Sequence, residues 1–573
     1  MGDRLAPADA RGPEPWRWKA AEATSLTEVG ERRISNLLAA LRLQRWDVVA
    51  LVTLTAIAFF IRFFSPITPN FIAHPFSGQP ISFCVPNTPV DVYGDPGTLC
   101  GLAYPFTRGY KDPNGVLSPP NGQVFDEVYF PVDAHNDVKG MEKCKPTSVD
   151  CTYNYFDPEP PLGKEMIAAG EWAYGWFRAT FQNAQGDYID LGFNTVGWRL
   201  SSAIIGTLCI PLMYLLALRL WPRRLFAVAA STFVGFDGMF FVQSRIGMID
   251  IFPVFFILLS YYLFLVHVQS TTPKGSLRSL VLLGLALGAG IAAKWIVLAA
   301  LASIGFFLVA VIAWRSWRSN ELKLPGDVPM ASYLPVLVVA FAVIPVGVYI
   351  ASWYPFFARG QLRSLADLVT YNEEVYRYHA TLKATHPYGS PWWSWPLLAR
   401  PVLYYAEYTN LGIDQFSSQP LYALMYNLGN PWIWWTSIPC VLSLPYFVVR
   451  HRNFPAAVIL VGFITQYLPW APITRVLFSY EMIGGLIFMV LALAFVLTWI
   501  ADHAPPWGRR FAVAHLVVAV MFFMYFYPVW TALPLSDGAW FRGPLSPPWG
   551  PKLWLTNCNP QLPISEPQLF CWN

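Results

Sequence analysis

Charge is scarce in this chain. Charged residues make up 13% of its 573 positions, about half of the ~25% usual in soluble domains. With 55% hydrophobic residues beside it, that scarcity excludes an ordinary water-soluble protein. Apolar runs of about 18 residues or more, long enough to cross a bilayer as helices, recur along the chain. A cleavable signal is also lacking. Residues 1–45 are polar and basic, with Arg4, Arg11, Arg17, Lys19, Arg32, Arg33, Arg42 and Arg45, and have neither an apolar h-region nor a small-residue cleavage site. The first apolar run, 48–63, therefore reads as a retained span. No internal repeat stands out at a period of about 20–50 residues, and no inverted pair of broken helices of the kind transporters use.

Apolar length predicts an all-α polytopic membrane protein of about 11 spans. They fall at roughly 46–64, 196–218, 223–242, 248–268, 277–294, 295–314, 332–353, 431–449, 455–472, 477–500 and 511–530. With the basic N-terminus in the cytoplasm, every short loop on that side carries cations: Arg219, Arg223 and Arg224; Lys274 and Arg278; Arg315, Arg318 and Lys323; Arg450 and Arg452; Arg509 and Arg510. This satisfies the positive-inside rule and puts the C-terminus outside. The organisation expected is a cytoplasmic segment 1–45, a first membrane part 46–353 containing a large outer loop 65–195, a second outer loop 354–430, a second membrane part 431–530, and an outer tail 531–573.

The eight cysteines divide along the same line. Cys84, Cys100, Cys144 and Cys151 lie in the first outer loop, and Cys558 and Cys571 in the tail, as suits an oxidising compartment. Cys558–Cys571 is the pair expected in the tail. The other four leave three connectivities open, of which Cys84–Cys100 with Cys144–Cys151 is the local one.

The polar residues near the spans gather on the outer face. "GFDGMFFVQSRIGMID" places Asp237, Gln243, Arg245 and Asp250 there, "AAKWIV" adds Lys294, "LPWAPITRVLF" adds Arg475, and "VGWRLSS" adds Arg199. Ionisable groups at spans are costly and mark functional sites, although a lone Arg at a span end also snorkels to headgroups and Asp237 with Arg245 would suit a structural ion pair. On the same face, "VFDEVYF" sets Asp126 beside Glu127 among aromatic residues. Two acids there would serve catalysis or begin a helix. "DAHND" at 133–137 has a fragment of metal-ligand spacing with no matching cluster elsewhere, so no metal is expected.

Taken in order, "FDEVYF", "YFDPEPPLGK", "GWRLSSAIIG", "FDGMFFVQSRIGMID", "GLALGAGIAAKW", "HPYGSPWWSWPLLARPVLYY", "LGNPWIWW" and "ITQYLPWAPITRVLFSY" resemble the protein O-mannosyltransferases, which have a GT-C membrane fold. The likeness runs over about residues 120–500. The outer loop 354–430 is too short for the β-trefoil repeats of eukaryotic members, so the chain resembles the actinobacterial type. Glu159 stands where many relatives have His, and that position is given no chemistry.

The resemblance implies transfer of mannose from a polyprenyl-phosphate mannose donor to Ser or Thr hydroxyls of exported proteins, at the extracytoplasmic face of the cell membrane. It implies Asp126 as general base, with Glu127 positioning the acceptor or supporting the loop. Arg199, Arg475 and Lys294 would hold the donor phosphate, and Asp237, Gln243, Arg245, Asp250 and His386 would line the pocket. No cofactor and no nucleic acid are expected. Two rivals stay open: another GT-C transferase with a glycan acceptor, and a transporter, which would need charges at mid-depth and on both faces.

Overall fold

The computed structural model describes residues 43–63, 124–139, 157–408, 411–414, 417–541, 551–555 and 569–572. Most of the 1–45 segment, and Cys84, Cys100, Cys144, Cys151 and Cys558, lie outside them. Cys571 is disulfide-bonded, while Cys209 and Cys440 are free and buried. By its internal contacts the chain divides into Met1–Ala50 and Leu51–Asn573. In the first unit the Asp47 carboxylate accepts the Gln44 N–H at 2.7 Å and caps the start of a helix.

The second unit is mostly helical. Among the described residues nine helices are long and apolar enough to cross a membrane: Arg45–Phe63, Thr195–Leu220, Ile251–Val268, Pro273–Ala293, Val297–Ser319, Met330–Ser352, Pro431–His451, Ser479–His503 and Trp507–Thr531. Two further predicted spans fall on shorter apolar helices, Arg224–Gly235 and Phe454–Trp470. The span expected at 223–242 is broken. It stops at Gly235 and resumes as Gly238–Gln243, because Asp237 turns out of the helix and accepts the Phe240 N–H at 2.9 Å as its N-cap. Gly238 follows because the Trp530 indole occupies the space a Cβ would need, 2.0 Å from its Cε2.

Burial ranks the helices. The Ser479–His503 segment is 83% buried and central, whereas Met330–Ser352 is 11% buried and presents its apolar surface outward. The latter carries a π turn at Val339–Val343, two residues before Pro345, whose ring and missing N–H disturb the ladder at residue 341.

The all-α expectation needs one correction. Strands β1 (Val402–Glu407), β2 (Leu421–Asn427) and β3 (Leu535–Ser536) form an antiparallel sheet in that order. β1 is rich in Val, Leu and Tyr, which suit a pleated, half-buried surface. Its register slips between Leu403 and Tyr405, and such a bulge re-aims a side chain. The residue freed from the ladder is Tyr404.

Candidate active site

"VFDEVYF" forms one 3₁₀ turn, Phe125–Val128. With three residues per turn, neighbouring side chains point about 120° apart, so the two acids face different surroundings. Glu127 is fully buried. Its Oε1 accepts Arg199 Nε at 2.6 Å and the Gly247 N–H at 2.6 Å; its Oε2 accepts Arg199 Nη2 at 2.5 Å and the Val124 N–H at 2.8 Å. This one carboxylate ties the turn to the Thr195–Leu220 helix and to the segment after Gln243. Arg199, expected at the donor phosphate, is itself fully buried and committed to Glu127.

Asp126 is only partly buried and looks elsewhere. Burial, reinforced by the Asp250 charge, lifts its carboxyl to about 7; Lys294 opposes that rise and Glu159 adds to it. Asp126 therefore shares one electrostatic neighbourhood with Asp250, Lys294 and Glu159. Lys294 ends the Pro273–Ala293 helix and gives its Nζ to Asp250 Oδ1 at 2.7 Å. Burial pulls this ammonium down, but the Asp250 and Glu159 carboxylates outweigh it and hold it above its ordinary value. A cavity lined by Asp250, Lys294, Ile296, Trp470, Glu481 and Gly484 adjoins the pair. Glu481 in turn accepts Arg475 Nη2 at 2.9 Å. The result is a run of neighbouring charges: Asp126, then Asp250 with Lys294, then Glu481 with Arg475.

Aromatic rings hold the turn from the other side. Phe125 has a φ of 51°, a left-handed conformation that is uncommon for a bulky residue and costs of order 1–3 kcal/mol. Its ring stacks on Tyr404 at 4.2 Å. The Tyr404 hydroxyl accepts Gln243 Nε2 and Asn427 Nδ2, each at 2.8 Å. Burial and the charges of Asp250 and Asp126 push this phenol well above its usual range. Tyr480 meets both Phe125 and Tyr404 edge-on and stacks on Phe478, which meets His386 at 5.1 Å. His386 accepts the Tyr388 N–H on Nδ1 at 3.2 Å, and burial, with Arg400 adding, lowers its pKa.

For two other predicted pocket residues the structure shows contacts with groups outside the charged row. Asp237 is fully buried and, besides its cap, accepts the Asn430 N–H at 3.0 Å and Trp434 Nε1 at 2.7 Å, joining three segments of chain. Arg245 lies over the Phe241 ring at 4.2 Å in the core. "DAHND" is divided among neighbours: Asp137 takes Arg359 at 2.7 Å, and His135 stands between Glu171 and Asp190 at 3.5 and 3.3 Å. In "YFDPEPPLGK", Asp157 pairs with Lys164, both buried. The Leu365–Thr381 helix closes over this stretch, with Tyr371 OH 3.0 Å from the Asp157 N–H and His379 Nε2 3.0 Å from Pro158 O.

Sequence reasoning missed Glu481 and Tyr404 and gave Glu159 no role. A lone Glu opening the apolar run "SYEMIGG" was the available signal for the first.

Residues 152–358 match the family described as dolichyl-phosphate-mannose-protein mannosyltransferase, and residues 364–543 match the C-terminal four TMM region of protein-O-mannosyltransferase. A polyprenol-phosphate-mannose–protein mannosyltransferase of Mycolicibacterium smegmatis is 26% identical over 491 residues, covering 74% of this chain and 87% of the relative. A protein of the same name from Corynebacterium glutamicum is 25% identical over 466 residues, covering 72% and 86%. A chain from the solved structure of the Saccharomyces cerevisiae protein O-mannosyltransferase Pmt1-Pmt2 complex bound to the sugar donor aligns with a TM-score of 0.61 at 15% identity, over 87% of this chain and 92% of that one. That last likeness is one of fold.

Proposed function

The chain belongs to the protein O-mannosyltransferase family, and from that premise we propose that it moves mannose from a polyprenyl-phosphate donor to Ser or Thr hydroxyls of exported proteins at the extracytoplasmic face. The observation that carries this reading is the row of charge leading away from Asp126. A group that accepts a proton works best when its pKa lies near the working pH, and Asp126 is held at about 7.

The chemistry follows from what the bond change needs. The acceptor hydroxyl gives its proton to Asp126 as its oxygen attacks the anomeric carbon. The bond from that carbon to the phosphate oxygen breaks, and the phosphate leaves with the electron pair. Lys294 and Arg475 offset the charge that collects on it, a usual task for Lys and Arg. Because Asp250 and Glu481 already neutralise these cations in part, an incoming phosphate would compete with two carboxylates. Attack opposite the leaving group inverts the anomeric centre. Positive charge on the sugar in an oxocarbenium-like transition state is favoured by the carboxylates around it. Glu127 and Arg199 act by holding the turn that aims Asp126. His386 and Gln243 support the aromatic wall through Phe478 and Tyr404. No resident metal enters this scheme.

The test is direct transfer with purified protein: radiolabelled mannosyl lipid, a Ser/Thr-rich peptide in one arm and a glycan acceptor in the other, each with and without chelator. Label in the peptide, insensitive to chelator, is expected. Label only in the glycan would favour another lipid-dependent transferase, and loss of transfer with chelator would overturn the metal-free scheme.

A further inference from the structure

We propose that a groove between the Pro273–Ala293 and Met330–Ser352 helices holds one anionic phospholipid of the surrounding bilayer. The groove has a volume of about 610 Å³ and is lined by Lys274, Leu277, Arg278, Val281, Leu282 and Val336. The first five lie on one helix at spacings of three and four, so they form a single stripe along it. The two cations stand in its first turns, and the aliphatic side chains continue from there along the axis.

This groove is not part of the charged row around Asp126. Lys294 follows the last residue of the same helix, so Lys274 lies about 30 Å from it along the axis at a rise of 1.5 Å per residue. That is the thickness of a bilayer's hydrocarbon core. The groove therefore opens at the membrane face opposite Asp250 and Lys294.

Charge, floor and direction together select the ligand. Lys274 and Arg278 are exposed, and among the described residues neither has a hydrogen bond or an ion pair. Their helix is already capped by Thr272, whose hydroxyl accepts the Gly275 N–H at 3.2 Å, and a cation in a first turn runs against the helix dipole. The helix gains nothing from these cations, whereas a phosphate between them would meet two charged donors at once. Among the described residues no acid lines the groove, so a head with net negative charge is favoured over a zwitterionic one. The aliphatic floor offers nothing to a free phosphate but matches a hydrocarbon chain. Leu282 and Leu285 on one helix, with Leu334 and Val338 on the other, are 39–52% exposed. The groove is thus open to the bilayer, and a lipid of that leaflet enters it sideways.

The experiment is lipid titration of full-length protein in detergent, read by native mass spectrometry. The probes are dioleoyl phosphatidylglycerol, dioleoyl phosphatidylcholine, polyprenyl phosphate and inorganic phosphate. Wild-type protein should bind one phosphatidylglycerol about 10-fold or more tighter than phosphatidylcholine, the scale of two cations near a headgroup. Lys274→Gln with Arg278→Gln should erase that preference and leave phosphatidylcholine binding within about twofold, which also shows that the groove still forms. Val336→Trp, which fills the groove, should weaken both lipids. Arg509→Gln with Arg510→Gln removes two exposed cations that do not line the groove and should keep the preference. A wild-type protein without the preference overturns the inference. An equal loss from the Arg509 and Arg510 changes does so too, by reducing the effect to a diffuse positive field. A Val336→Trp protein that binds both lipids as wild type does moves the lipid out of the groove. Displacement of phosphatidylglycerol by equimolar inorganic phosphate would make this a free-anion site, and tighter binding of polyprenyl phosphate would give the groove to that lipid; either result refutes the phospholipid assignment.

Discussion

Glu127 offers the sharpest test of how labour is divided within the acidic pair. Among the described residues it receives four hydrogen bonds at 2.5–2.8 Å, two from the Arg199 guanidinium and two from backbone N–H groups, with both side chains fully buried. Glu127→Gln replaces one acceptor oxygen by an NH₂ group that would meet two donors whichever way the amide turns. It also takes the Glu127 carboxylate away from the buried Arg199 guanidinium. Breaking a buried pair on one side costs about 3–5 kcal/mol. Replacing both partners should recover much of that, because no uncompensated charge remains. We expect Glu127→Gln to be destabilised by about 3 kcal/mol or more, and Glu127→Gln with Arg199→Met to be less destabilised than the two single changes added together, by about 2 kcal/mol. The assay is unfolding in mixed detergent with SDS, followed through the intrinsic tryptophans, with mannosyl transfer measured on the same samples. Additive single effects would refute the coupling. A Glu127→Gln protein of wild-type stability that has lost transfer about 10²-fold would refute the positioning role and make Glu127 a chemical participant.

Three further outcomes follow from the same geometry. Lys294→Met removes the cation that holds the Asp126 carboxyl down, so the acid limb of the pH–rate profile should move to higher pH by roughly one unit; an unmoved limb would uncouple the two groups. Arg475→Ala should weaken binding of the donor lipid more than of the acceptor peptide, and unchanged donor affinity would leave Arg475 as an anchor for Glu481. Asp237→Asn disturbs a buried acceptor of three hydrogen bonds and should cost about 1–3 kcal/mol of stability with donor KM unchanged; a raised donor KM would return Asp237 to the pocket.

Much of the architecture was legible because bilayer crossing demands long apolar runs, and each predicted span meets a helix. What stayed hidden was local. The break at Asp237 was masked by apolar neighbours, although Phe-Asp-Gly carries a cap residue followed by a glycine. The sheet was hidden because "VLYYA" sits in a Trp- and Tyr-rich stretch that reads equally well as an interfacial anchor. Within the site, the grouping of Asp126, Asp250, Lys294 and Arg475 could be read from the charges at the span ends. The separate surroundings of Asp126 and Glu127 could not, since adjacent acids look equivalent until the 3₁₀ turn sets their directions. Arg199 was assigned to phosphate for a related reason: a cation at a span end carries no mark of which anion it meets.

The pH dependence of transfer by wild-type and Asp126→Asn protein tests the central claim most directly. A base works only when ionised, so with Asp126 at about 7 the wild-type kcat/KM should rise with pH, reach half its plateau near 7, and fall away below it. Asp126→Asn should be slower by roughly 10²-fold or more, with that limb gone and the fold intact. Near-normal transfer by Asp126→Asn, or the same limb surviving in it, would contradict the account.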